Sequence, residues 1–177
     1  MKGVFWKEGE SFTSSMSLIV SLLIRYPEIA TLKLIPEEQI FQFGFIFKRK
    51  FTPEEKKAFQ EELELSLKAL TELNRYHPKI MKFTFKRLKN FSFLEIKRDI
   101  ASLSQDEISL ITRIINHKYQ GEIIKDAEDS MGEEELIFQE EMIDHMLEDI
   151  KDSQQDKELI GIREEGRVML FNHSDPP

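Results

Sequence analysis

The chain has 177 residues, 33 Asp plus Glu against 25 Lys plus Arg, and no Cys, which gives a formal charge of -8. That length suits one compact domain with an appendage, and the missing Cys excludes disulfides, thiolate metal sites, iron–sulfur clusters and cysteine nucleophiles. Hydrophobic residues make up 40% of the chain and charged residues 33%, enough apolar material for a core and too much for wholesale disorder.

Residues 1–15 read as a polar leader without the basic-then-apolar pattern of a secretory signal, so the sequons at Asn90 and Asn172 carry no glycosylation meaning and the expected compartment is the cytoplasm. Ser14 or Ser15 is placed to cap a first helix through Tyr26, which Pro27 stops. Its apolar run, Leu18 to Ile24, is far shorter than the roughly 20 residues a membrane span needs. It also lacks the Lys/Arg-rich face of an interfacial helix, so it belongs to the core.

From Ala30 the period changes to two. Leu32 and Leu34 alternate with Thr31, Lys33 and Ile35, and after a Pro36–Glu38 turn Phe41, Phe43, Phe45 and Phe47 share one side of a second strand. Thr52-Pro53-Glu54-Glu55 then supplies a capping hydroxyl, a proline at the first helical position and a glutamate able to reach back to the cap. The helix should run to about Asn74 and bury Phe59, Leu63, Leu67, Leu70 and Leu73.

A second hairpin is expected from Ile80 to Leu88 and Phe91 to Arg98, with Phe83 and Phe85 inward and Lys82, Thr84 and Lys86 on a basic outer face. Ser104 to Glu107 reads as another capping box, opening a helix that buries Ile108, Ile111, Ile114 and Ile115. After Asp126 an acidic amphipathic helix follows, then a hairpin of Leu159–Arg163 and Arg167–Phe171 with Gly166 at the left-handed position of a three-residue loop. The fold class is therefore α+β: an antiparallel sheet from a hairpin-helix-hairpin-helix order with an N-terminal helix, plus an acidic C-terminal helix and hairpin. The expected organisation is a leader at 1–15, a core at 16–125 and an appendage at 126–177 docked on that core.

The net charge conceals two opposed blocks. Residues 48–99 carry 14 basic and 8 acidic groups, whereas residues 126–177 carry 4 basic and 17 acidic. Such asymmetry marks interaction surfaces. The candidate basic face comprises Lys82, Lys86, Arg87, Lys89, Lys97 and Arg98; the candidate apolar side of the acidic helix comprises Leu136, Met142, Ile143, Met146 and Ile150. These two blocks would dock on each other, within one chain or between two copies.

Two competing functions follow from the same residues. Cations interleaved with Phe83, Phe85, Phe91 and Phe93 suit single-stranded nucleic acid, with the acidic tail autoinhibitory, although the alternation puts Phe83 and Phe85 on the side away from Lys82 and Lys86. Glu141, His145 and Glu148, spaced by one-turn steps, could hold a divalent ion in a metal-dependent enzyme, but no second His-bearing motif completes such a site. His77, His117 and His173 stand alone. No nucleophile elbow, phosphate loop or zinc-protease motif occurs, so no catalytic residue and no cofactor is assigned. The expectation is a non-enzymatic interaction or regulatory protein with a protein partner or a second copy of itself.

Overall fold

A computed structural model describes residues 4–5, 13–127, 131–153 and 157–172. Seven strands, β1 (Val4–Phe5), β2 (Thr31–Ile35), β3 (Ile40–Phe47), β4 (Met81–Leu88), β5 (Phe91–Asp99), β6 (Leu159–Glu164) and β7 (Arg167–Asn172), form one sheet in the order β1-β7-β6-β2-β3-β5-β4. All pairs are antiparallel except the two-residue β1, which lies parallel to β7. With the helices α1 (Ser14–Arg25), α2 (Pro53–Leu73), α3 (Gln105–Lys118) and α4 (Glu133–Asp152) this is an α+β fold.

The phenylalanine alternation of β3 sets the layering. Phe41, Phe43, Phe45 and Phe47 are buried, and their register partners on β2 and β5, Leu32, Leu34, Leu94 and Ile96, lie beside them without solvent exposure. Phe47, Phe51, Phe59, Phe85 and Tyr119 form an aromatic cluster, mostly edge-to-face with Phe51 stacked on Phe59, that joins α2 and the end of α3 to this side. Its dryness pushes the Tyr119 hydroxyl up to about 12, since burial disfavours the phenolate. At the other end α1 lies on β6 so closely that a Cβ on Gly161 would come within 2.5 Å of Ile19 Cγ2, so a glycine is needed there. α4 packs beside α1 and reaches α3 and the 3₁₀ turn Ile100–Ser102.

The C-terminal hairpin does not stand apart. β6 inserts between β2 and β7, which joins an otherwise marginal two-stranded unit to the main sheet. Its loop is the two residues Glu165 and Gly166, both with positive φ (49° and 76°), a type I′ geometry matched to strand twist, where the sequence suggested three residues.

Several local expectations are corrected. Thr13, not Ser14 or Ser15, caps α1, its hydroxyl accepting from the Met16 N–H. On α2, Thr71 is buried while Leu73 is 82% exposed: a stripe stepping by four from Phe59 through Leu63 and Leu67 arrives at Thr71, and Leu73 lies two residues round the helix from it. In both expected capping boxes the hydroxyl half forms, at Thr52 and at Ser104. The glutamate half is taken by an arginine instead: Glu55 pairs with Arg49, and Glu107 with Arg98.

Candidate interaction surfaces

Strand alternation puts Lys82, Thr84 and Lys86 of β4 on the side of the sheet opposite Phe83 and the helices. The register carries a basic row across it: Lys82 faces Lys97 on β5, Lys97 faces Gln42 on β3, and Gln42 faces Lys33 on β2. Directly opposed like charges are unfavourable. The same side carries one buried carboxylate, Glu95, which accepts from the Gln42 amide and pairs with Lys86. Four lysines (Lys33, Lys82, Lys86 and Lys97) and one glutamate leave the patch net positive. Lys33 was not among the candidates read from the sequence; its alternation with the buried Leu32 and Leu34 was the available signal.

The other candidate cations are dispersed. Arg87 shares the register side of Phe83 and Phe85 but lies past the covered part of β4, and Lys89, at φ 53°, is in the two-residue turn to β5. Arg98, expected on the basic face, is fully buried on the helical side, because it follows Leu94 and Ile96 at even spacing. Its guanidinium holds Glu107 through two bonds of 2.8 and 2.9 Å, Asp99 at 2.5 Å, the Ile80 carbonyl at 2.9 Å and the Ser102 hydroxyl at 3.1 Å. Every donor direction of the fork is used, so Arg98 fastens β5, the start of β4 and α3 together. One cation thus serves two carboxylates. Burial raises the Glu107 pKa against the pull of Arg98. Burial also pushes on Asp99, but the Ser102 hydroxyl, the Ile80 N–H and Arg98 outweigh it and hold that carboxyl below its ordinary value.

The rings do not form an open stacking platform. Phe83 is buried and Phe85 packs in the aromatic cluster. Phe93, on the outer side, lies against Gly44: a Cβ there would fall 2.6 Å from the ring and 2.1 Å from Thr31 Oγ1. A glycine covered by a cross-strand aromatic is a known sheet device. Phe91, at the start of β5, is exposed.

On α4, Ile143 and Ile150 are buried together with Leu147, and Met146 packs against the core at partial exposure. The helix that carries them packs beside α1 and reaches α3. Leu136 is half-buried in a cleft between α1, α3 and the start of α4, whereas Met142, with Ile137 and Phe138, is exposed. Glu141, His145 and Glu148 are all on exposed positions of the helix, and Glu148 pairs with Lys151. Among the described residues no group of three or more His, Asp or Glu is arranged to share a metal ion. A single straight helix presents one-turn neighbours side by side, and no second element converges on them.

The cleft that Leu136 borders, about 510 Å³, is also lined by Arg25, Tyr26, Glu28 and Asn116. Those groups hold each other: Arg25 pairs with Glu140 at 2.6 Å, Asn116 donates to Glu28 at 2.5 Å, and the Tyr26 hydroxyl accepts from Gln105 at 2.6 Å. Burial raises the Tyr26 pKa against the hydrogen bond from Gln105. Among the described residues no helix is long and apolar enough to cross a membrane.

Comparison with protein-family models, with curated proteins and with solved structures finds no match.

Proposed function

We propose that this chain is a non-enzymatic, cytoplasmic interaction or regulatory protein whose basic outer sheet face engages an acidic protein segment supplied by another chain. The observation that supports it most is the row Lys82–Lys97–Gln42–Lys33 on a side of the sheet against which, among the described residues, no helix packs, while the chain's own acidic helix packs on the opposite layer. Like charges aligned across solvent-facing strands lower stability slightly, and an anionic partner relieves that repulsion. The acidic helix of a second copy is one such partner, since α4 leaves Glu134, Glu141, Asp144 and Glu148 exposed.

Fluorescence anisotropy with labelled polyglutamate and with an oligothymidylate, each over a range of salt, tests the reading. Binding of polyglutamate that weakens with salt and is lost in the Lys82→Glu, Lys97→Glu double variant supports it. No binding at low salt defeats it. Binding of the oligonucleotide alone, with affinity falling steeply against salt, would instead make the face a nucleic-acid site.

A further inference from the structure

The two ends of the sheet differ in length. β1 pairs with two residues of β7 at one end, whereas β4 ends the strand order at the other with eight residues paired only to β5. The pairing decides which backbone groups are free there. The Asp99 N–H donates to the Ile80 carbonyl, and Leu88 faces Phe91 across a two-residue turn, so the even-numbered residues of β4 exchange hydrogen bonds with β5. The N–H and C=O groups of Phe83 and Phe85 therefore point to the open edge. Among the described residues no strand, turn or side chain takes them up.

Beside this edge runs α2. Pro53, Lys56, Lys57, Gln60, Glu61 and Glu64 on the helix and Phe83, Thr84 and Phe85 on the strand line a groove of about 640 Å³, whose two glutamates disfavour an acidic side chain inside it and leave apolar ones as its occupants. A helix alongside an unpaired strand edge is the setting in which an extended peptide adds to a sheet: backbone hydrogen bonds give affinity and alternate side chains give specificity.

We propose that an extended acidic segment of a partner protein adds to β4 as an eighth, antiparallel strand, with apolar side chains in the groove and carboxylates beside Lys82 and Lys86. The mode rests on the reading of a basic, acid-binding face and specifies how the partner is held. Cross-strand neighbours share a side of the sheet. Residues opposite Phe83 and Phe85 thus enter the groove, where Phe83, Phe85 and the stems of Lys56 and Lys57 offer apolar contact. Residues opposite Lys82 and Lys86 lie on the outer face, where a carboxylate meets Lys82 and shares the exposed Lys86 with Glu95. The recognised pattern is acidic-apolar-acidic-apolar. A second copy of β4 is a poor occupant: pairing about a two-fold axis at Thr84 would set Lys82 against Lys86 of the other chain, twice. The lysines that repel a copy are those that attract an acidic strand.

The probe is a labelled synthetic peptide of about eight residues alternating glutamate and valine, matched to the length of β4. It is titrated into the full chain beside a same-composition peptide with its glutamates and valines in two blocks. Two further isomers carry N-methyl groups on either the valine or the glutamate nitrogens. In an antiparallel pair the valine nitrogens bond to Phe83 and Phe85, so methylating them should weaken binding about tenfold or more, while methylating the glutamate nitrogens is tolerated. Amide exchange at Phe83 and Phe85 slows on binding the unmodified peptide, and Lys82→Glu weakens it without unfolding the chain, its side chain being exposed. Equal binding of the alternating and block peptides, or insensitivity to valine methylation, overturns strand addition but leaves the acid-binding face standing. Failure of every acidic peptide, together with polyglutamate, overturns both.

Discussion

Arg98 and Glu107 form a two-pronged ion pair with no solvent contact on the arginine, one residue next to the end of β5 and the other in the first turn of α3. The pair sets the distance between the sheet and the helical layer at the point where β4 begins and the chain turns into α3. A planar fork is suited to this because its five donors meet two carboxylates, a carbonyl and a hydroxyl without a bond left over.

Removing only the cation should be severe. Arg98→Met leaves Glu107 and Asp99 buried without their counter-charge, and the expected loss is about 3–5 kcal/mol, read from the shift of the urea midpoint at constant slope. Adding Glu107→Leu to that variant should recover part of the loss, because an apolar pair of similar volume removes the desolvation penalty. No recovery in the double variant would mean that the geometry of the cluster, and not the stranded charge, carries the effect.

Acid titration should show the two carboxylates pulling in opposite directions. Asp99 is held below its ordinary value of 3.8, so the stability it contributes is present above that pH and is lost as pH falls through the folded value. Glu107 is raised above 4.5, so its contribution is fully present below 4.5 and is lost as pH rises through the folded value. In Asp99→Asn the slope of unfolding free energy against pH should flatten below about pH 3.8. In Glu107→Gln the flattening should appear above pH 4.5 instead.

Arg163 ties the C-terminal hairpin to the first helix. Its guanidinium donates to the carbonyls of Leu23, Tyr26 and Ile29, which include the unsatisfied end of α1, and pairs with Asp126 at 3.3 Å. A cation at a helix C-terminus also complements the dipole. Arg163→Gln should cost about 1.5–3 kcal/mol, and amide exchange should rise first in the last turn of α1 and in β6. Arg163→Lys should recover less than half, since a lysine cannot span three carbonyls and a carboxylate.

The basic row predicts a trade of stability against binding. Lys82→Glu places an acid directly opposite Lys97, and the expected gain is a few tenths of a kcal/mol up to about 1 kcal/mol in urea unfolding. The same variant should bind polyglutamate more weakly. A loss of both stability and binding would show that Lys82 supports the fold, against its reading as a face held open for a partner.

The elements legible in the sequence are those whose causes are local. Hairpins announced themselves through a two-residue period, α2 and α3 through a hydroxyl cap and an apolar stripe, and the inward side of β4 through Phe83 and Phe85. The site was legible in part: Lys82, Lys86 and Lys97 do share the outer face, as alternation requires. Arg98 was misplaced because its strand register, not its charge, decides its side, and the carboxylates that make its burial tolerable lie on another element. The capping glutamates Glu55 and Glu107 were misassigned for a related reason: an arginine brought in by the fold competes for them more strongly than a backbone N–H does.

The amino-acid sequence by itself determined the fold class, the order of its hairpins and helices and the two opposed charge blocks, because period, caps and composition act within a few residues. Only the tertiary structure decided that β6 lies against β2, that Arg163 caps a helix 140 residues away, and that the acidic helix and the basic face look in different directions. Those outcomes depend on which distant surfaces pair when the core closes, and the free energy of that pairing belongs to the assembled layers rather than to any one segment.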